Sequence, residues 1–220
     1  MQQHTGPRFD IGEAVAAGWR RFWPNVLPMA AFALVVWVFN LLFQVLQRDA
    51  NTGVRFVLGL VSFVVSQLIA IGWIKIALDI TDGRPVRAEA VVDRFRLVLP
   101  YLIAALVYAV MVGIGIILLI VPGIILAIVF AFYGFHIVDT GDTNPVEALR
   151  RSADITRGHR WQLFLLGLLL LGINILGILL LLVGVLISSA ISLLAVAHVY
   201  RRLVPAPTEA APPGDTVMGA

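Results

Sequence analysis

Four histidines, His4, His136, His159 and His198, are the first candidates for acid–base or metal chemistry. No two stand at the i, i+4 spacing that lets one helix face hold zinc, and the chain has no cysteine to complete a mixed site. His136 lies three residues before Asp139, with Asp142 just beyond. At a helix end these three could gather a metal ion or move a proton. The competing reading is a plain imidazole at the wet end of an apolar segment. No Ser occupies a G-x-S-x-G elbow and no glycine-rich phosphate loop occurs. Asp79 and Asp139 fall at the ends of apolar segments, where water is expected to reach them. Proton- and ion-coupled transporters need an acid inside the bilayer, so the pattern points away from them and leaves uncoupled channels open. No catalytic, cofactor or metal residue is assigned, and an enzyme is the least favoured class.

The elements that would position these residues are apolar and long. Hydrophobic residues make up 60% of the 220 and charged residues only 13%, about half the share usual in soluble domains. Leu97–Val138 and Gln162–Val199 hold no Asp, Glu, Lys or Arg. A helix of roughly 40 residues would reach about 60 Å at 1.5 Å per residue, twice the thickness of a hydrocarbon core of about 30 Å. Each stretch must cross, turn and return. The first apolar run, from Val26 to Leu46, is too long for a signal core and lacks a small-x-small cleavage site, so it reads as an uncleaved span.

Six spans follow, at about 25–46, 55–78, 97–120, 124–138, 162–179 and 182–200. Lys75 would snorkel from the end of the second. Val121-Pro122-Gly123 should break the third from the fourth, because Pro removes a donor and Gly permits a turn. The turn between the last two is expected near Gly177 to Gly184. Residues 1–203 read as a single membrane domain, and the Pro-, Ala- and Gly-rich tail 204–220 as disordered.

Six crossings place both termini and the second and fourth loops on one side. Thirteen of the fifteen arginines fall there, and only Arg48 and Arg55 fall opposite. The positive-inside rule then makes both termini cytoplasmic. Basic residues flanking spans anchor a membrane protein, so nucleic acid is not an expected partner. Fifteen arginines against one lysine suggest a bacterial genome rich in G and C.

A threefold repeat accompanies this threading. Glu13-Ala14-Val15, Glu89-Ala90-Val91 and Glu147-Ala148-Leu149 each precede a pair of spans. Pro24, Pro100 and Gly158 each follow the glutamate by the same eleven residues. The unit reads as an interfacial amphipathic helix, a span, a turn and a span. Asp10 with Glu13, and Asn144 with Glu147, fit capping boxes. In the third such helix Val146, Leu149 and Ala153 share a face. Arg150, Arg151, Arg157, Arg160 and Trp161 form a candidate face for anionic headgroups or a protein partner. The competing reading is a helix that only caps the bundle.

Inside the spans the polar side chains are neutral: Asn40, Gln44, Ser66, Gln67, Asn174, Ser188 and others. They could bond helix to helix or line a polar path. Small residues recur every fourth position in Ser62-Ser66-Ala70, Ala105-Ala109-Gly113, Gly123-Ala127-Ala131 and Gly184-Ser188-Ser192, which predicts close packing along four spans.

The segment Ile120–Trp161 resembles a bacterial integral-membrane family that includes YciC-like proteins and the membrane domain found before some glycerophosphodiester phosphodiesterases. The matching residues are Pro122, Gly123, Asp139, Glu147, Ala148, Leu149, Ser152, Arg157, Gly158 and Trp161, with Tyr200-Arg201 as a fitting end. The resemblance implies a six-span inner-membrane protein. It does not carry the phosphodiesterase activity, because no barrel-sized soluble region or paired metal-binding acids are present.

The expected fold is therefore all-α: six transmembrane helices in three hairpins, each preceded by a cytoplasmic interfacial amphipathic helix, in a bacterial inner membrane. The expected function is a non-enzymatic membrane module that organises or senses lipids or a partner through its Arg-rich cytoplasmic face. The alternative is an uncoupled transporter or channel for a small or amphipathic solute. Expected partners are membrane lipids, with a protein partner or self-association open; no cofactor is expected.

Overall fold

The structure, a computed structural model, describes residues 9–86, 95–179 and 181–204. His4, Arg8, Arg87, Arg94, the expected amphipathic segment at Glu89-Ala90-Val91 and the expected disordered tail lie outside the described residues, as does Leu180 within the expected last turn.

Among the described residues all regular structure is helical. The helices are α1 (Ile11–Phe22), α2 (Val26–Arg48), α3 (Thr52–Thr81), α4 (Val98–Leu118), α5 (Ile120–Val129), α6 (Tyr133–Thr140), α7 (Pro145–Ile155), α8 (Arg160–Leu179) and α9 (Leu181–Leu203). Short 3-10 turns at Trp23–Asn25 and Phe95–Leu97 lead into α2 and α4. Six helical stretches are long and apolar enough to cross a membrane: Ile11–Arg48, Thr52–Thr81, Val98–Leu118, Ile120–Thr140, Arg160–Leu179 and Gly184–Leu203. By length and composition this is a membrane protein.

Helix α9 is the central strut. It packs against α1, α3 and α8, and more lightly against α2. Its side chains Leu194, Ala195, Ala197, Val199 and Tyr200 are fully enclosed. Helix α1 lies flat against it because Gly18 has no side chain: a Cβ there would come within 2.6 Å of the Ile191 carbonyl oxygen. Ala14, Ala17 and Phe22 complete the buried face of α1. That face therefore meets protein.

The break between the third and fourth spans differs from the sequence expectation. The chain leaves helical geometry at Leu119 (φ −163, ψ 136). Pro122 then sits in the first turn of α5, where a missing N–H costs nothing. Gly123 has a packing role instead of a turning one. A Cβ on Gly123 would lie 2.7 Å from the Ile116 nitrogen, and one on Gly115 would lie 2.9 Å from the Gly123 Cα. The two glycines let α4 and α5 touch backbone to backbone, as small residues do in bilayers.

The fourth span is not one helix. Phe130 and Phe132, both at φ −102 with ψ near zero, separate α5 from α6. A sequence reading by apolar length ran straight through this interruption.

Only part of the small-residue pattern packs. Gly184 and Ser188 are buried, and Gly177 of α8 fits against them, 2.8 Å from the Gly184 carbonyl oxygen to its would-be Cβ. In α4, Ala109 is exposed and Gly113 has nothing near it. In α3, Ser66 and Ala70 line a cavity of about 220 Å³ with Phe32, Trp73 and Ser189. Small residues permit close approach; they do not cause it where no neighbouring helix is aligned.

Candidate functional site at the charged end of the bundle

The charged residues gather where α1, the last turn of α3, α6, the start of α7 and the last turn of α9 meet. Arg201, near the end of α9, is the node. Its Nε and Nη2 donate to the two oxygens of Asp82, each at 2.8 Å. Its Nη1 and Nη2 donate to the two oxygens of Asp139, each at 2.6 Å. The Tyr200 hydroxyl donates to Asp139 at 3.2 Å. The side chains of Arg201, Asp82 and Asp139 are only 9%, 9% and 7% exposed. Two bidentate pairs on one planar guanidinium use two of its edges for charge-assisted bonds. Arg84 stands 3.7 Å from Asp82 and offsets the second carboxylate.

Two sequence expectations are corrected here. Asp79 and Asp139 were placed where water reaches; both are enclosed and paired. Lys75 does not snorkel outward, for its ammonium bonds the Asp79 carboxylate one turn on, with side chains 13% and 6% exposed. A buried charge must be paired or it costs several kcal/mol; Asp79 finds its partner one turn away on its own helix, and Asp139 finds Arg201 through helix packing. Asp139 consequently faces Arg201 and not His136. His136 instead stands 3.8 Å from Asp142, so the candidate His136–Asp139–Asp142 gathering does not form. These two and Thr140, Glu147 and Arg151 line an open cavity of about 420 Å³. Glu147 there accepts from Arg151 at 2.8 Å.

The amphipathic helix α7 begins as its sequence suggests and then departs from it. Asn144 caps it, its Oδ1 accepting from the Val146 and Glu147 amides at 3.1 and 3.3 Å. The reciprocal half of the box is absent, because Asp142 takes the Asn144 amide at 2.9 Å. At α1 the Asp10 carboxylate accepts from the Glu13 amide at 2.9 Å, while Glu13 pairs with Arg202 of α9 at 2.7 Å. The buried face of α7 is Ala148, Leu149 and Ser152, whereas Val146 is 70% exposed. The expected Val146–Leu149–Ala153 face is therefore rotated.

Its reason is the interruption between α5 and α6. Ser152 Oγ accepts from the Phe132 amide at 3.0 Å and donates to the Val129 carbonyl at 3.0 Å. Thr156 Oγ1 donates to the same carbonyl at 3.2 Å. Backbone groups opened by a broken helix in an apolar setting must find partners. A serine and a threonine one turn apart on α7 supply them. Ser152 is buried because its hydroxyl serves those backbone groups.

The remaining residues singled out by sequence fall on the outside. Arg150, Arg151, Arg157, Arg160 and Trp161 are all exposed. Arg157 pairs loosely with Asp154 at 3.2 Å. Gly158 takes φ +86 in the turn from α7 to α8, a conformation that favours glycine. His159 lies against Phe9 with ring centres 6.3 Å apart and the planes tilted by 35°, and His198 shares a hydrogen bond with Arg21 at 2.8 Å. Within the bundle, Asn174 of α8 bonds Ser188 and Ser192 of α9 at 3.1 and 2.8 Å. That is the glue reading of these polar residues, not a polar path. Sequence reasoning missed Asp82, which carries half of the Arg201 node; its only signal was an acidic residue just past a span.

The matched region spans this whole assembly except α1 to α3. The family described as Domain of unknown function (DUF7847) matches residues 86–218, more than half of the chain. The chain belongs to this family. No curated protein and no solved structure matches it. The family region thus holds the broken span, the α7 latch, Asp139 and Arg201, and draws Asp82 from the preceding segment.

Proposed function

We propose that this protein is a non-enzymatic membrane module that organises or senses anionic lipid through an Arg-rich cytoplasmic face. In this reading residues 1–203 are one domain in a bacterial inner membrane, built as three hairpins with α1 and α7 at the cytoplasmic interface. The finer likeness to YciC-like proteins supports the same placement. The carrying observation is that arginines 150, 151, 157 and 160 are all exposed, beside a charged end where Arg201, Asp82 and Asp139 are locked in internal pairs. Exposed arginines at a bilayer surface attract anionic headgroups by roughly 1 kcal/mol each. Thirteen arginines against two supports the orientation.

The test is thermal unfolding of the protein in bilayer discs of rising phosphatidylglycerol content. Wild type should gain stability with the anionic fraction, and a variant with Arg150, Arg151 and Arg157 changed to Gln should lose most of that gain. Equal gains in both would overturn the reading. Reporter fusions at the 84–96 and 150–160 connections should both report cytoplasm; opposite compartments would remove the orientation.

One observation favours the alternative of an uncoupled channel or transporter for a small or amphipathic solute: the cavity between α2, α3 and α9, with Ser66 and Ser189 on its wall. Flux of small neutral solutes in proteoliposomes above empty vesicles would support it.

A further inference from the structure

Between α5 and α8 runs a groove that the general reading leaves unused. It encloses about 480 Å³ and is walled by Val121, Ile124, Ile125 and Ile128 on one side and Phe164 on the other. Arg160 and Trp161 close one end. Its α5 wall lies within a helix of ten residues, about 15 Å long, half of a hydrocarbon core. No side chain among the described residues fills it: Ile124, Ile125 and Trp161 are 39%, 46% and 69% exposed.

We infer that this groove holds one acyl chain of an anionic phospholipid, whose phosphate sits at Arg160. The inference rests on the lipid reading above and names its site. The wall is almost wholly apolar, so Arg160 enters it by the carbon stem and carries its guanidinium beyond the mouth. A polar solute would lose hydration there with nothing in return; a hydrocarbon chain would not. Among the described residues no carboxylate pairs with Arg160, while Arg151, Arg157, Arg201 and Arg202 all have acidic partners. Its planar fork matches a phosphate. Helix α8 begins at Arg160, so the positive end of its dipole lies at the same mouth. Trp161 stacks on Phe164 with ring centres 5.4 Å apart, and tryptophan belongs at the headgroup boundary. The groove thus brings together an acyl wall, a boundary tryptophan and a charge, the three parts that a phospholipid needs.

The test uses the full-length protein in phosphatidylcholine bilayers containing lipids brominated on the acyl chain, with either phosphatidylglycerol or phosphatidylcholine heads. Bromine quenches tryptophan on contact, and the fluorescence that Trp161→Phe removes isolates this site. At equal mole fraction the brominated anionic lipid should show roughly a fivefold preference over the zwitterionic one, the factor expected from one arginine at an anionic surface. Arg160→Gln should bring that ratio close to one, and Arg160→Lys should keep most of it. Filling the groove with Ile124→Phe and Ile125→Phe should cut quenching by both lipids; these positions are exposed, so the fold is not at stake. Equal quenching by both heads in wild type overturns the inference. So does an anionic preference that survives the filled groove. In that second case the stability gain with phosphatidylglycerol would persist, and the general lipid reading would stand without this site. Loss of that gain in wild type would remove the general reading as well.

Discussion

The two ends of helix α3 teach opposite lessons about what holds this protein together. Beyond Ile71 nearly every residue of α3 is buried, and the helix ends at Asp82 in the Arg201 node. Before Ile71 none is buried, and its neighbour α2 encloses only Met29 in 23 residues. Both halves are apolar by sequence, and the buried one is the half that carries Lys75 and Asp79. In lipid, apolar surface gains little by leaving one hydrocarbon setting for another, so greasy helices do not pack because they are greasy. They pack where polar groups must find partners or where glycines admit a backbone. The α2 arm has one aromatic tie, Phe32 stacked on Trp73 at 5.1 Å, and a turn in which Arg55 donates to the Gln47 and Arg48 carbonyls. The charged end has a network.

The contrast can be broken most directly at Arg201. Arg201→Met would leave Asp82 and Asp139 enclosed and facing each other, and should destabilise the protein by about 3–5 kcal/mol in detergent unfolding. Replacing Asp82 and Asp139 by Leu in the same variant should restore most of that loss. A single variant that melts like wild type would show that the node contributes nothing. Next in size is Gly123→Leu, which must push α4 and α5 apart and should lose about 1–3 kcal/mol or more; the same change at Gly113, which touches nothing, should be nearly silent. Ser152→Ala strips the Phe132 amide of its partner and should cost ~1–3 kcal/mol, with faster hydrogen exchange at Phe132 as its local signature. Asn174→Leu should lose only about 0.6–1.7 kcal/mol, the range found for hydrogen bonds between membrane helices. Smallest of all, Arg151→Gln breaks an exposed pair and should shift stability by under ~1 kcal/mol. On the α2 arm, Leu34→Ala and Val38→Ala should fall in that last class, because both side chains are open to the surroundings. A large loss there would mean that the arm is covered by something, a second copy of the chain among the candidates.

How much of this was legible beforehand depended on whether a feature was local. The capping roles of Asp10 and Asn144 were legible because a cap is a relation between residues two or three apart. The apolar face of α7 was misread, since the count of apolar side chains could not know that a helix twenty residues earlier would open its backbone beside Ser152 and Thr156. The Pro122-Gly123 signal was real but carried the wrong meaning. A glycine that admits a neighbour and a glycine that permits a turn look alike in sequence. The acids at the span ends were seen, but their burial was not, because burial is a property of what packs over a residue.

The sequence by itself determined that this is a helical membrane protein with six apolar stretches, since helix rise and bilayer thickness leave long uncharged runs few alternatives. It also determined that α1 and α7 begin at Asp10 and Asn144. Only the tertiary structure decided that Arg201 would draw Asp82 and Asp139 together from 119 and 62 residues away. It alone decided that α7 would mend a broken span, and that an open apolar groove would end at an arginine without an acidic partner among the described residues. Those are long-range meetings, set by which helix lies beside which, and no window along the chain contains both partners.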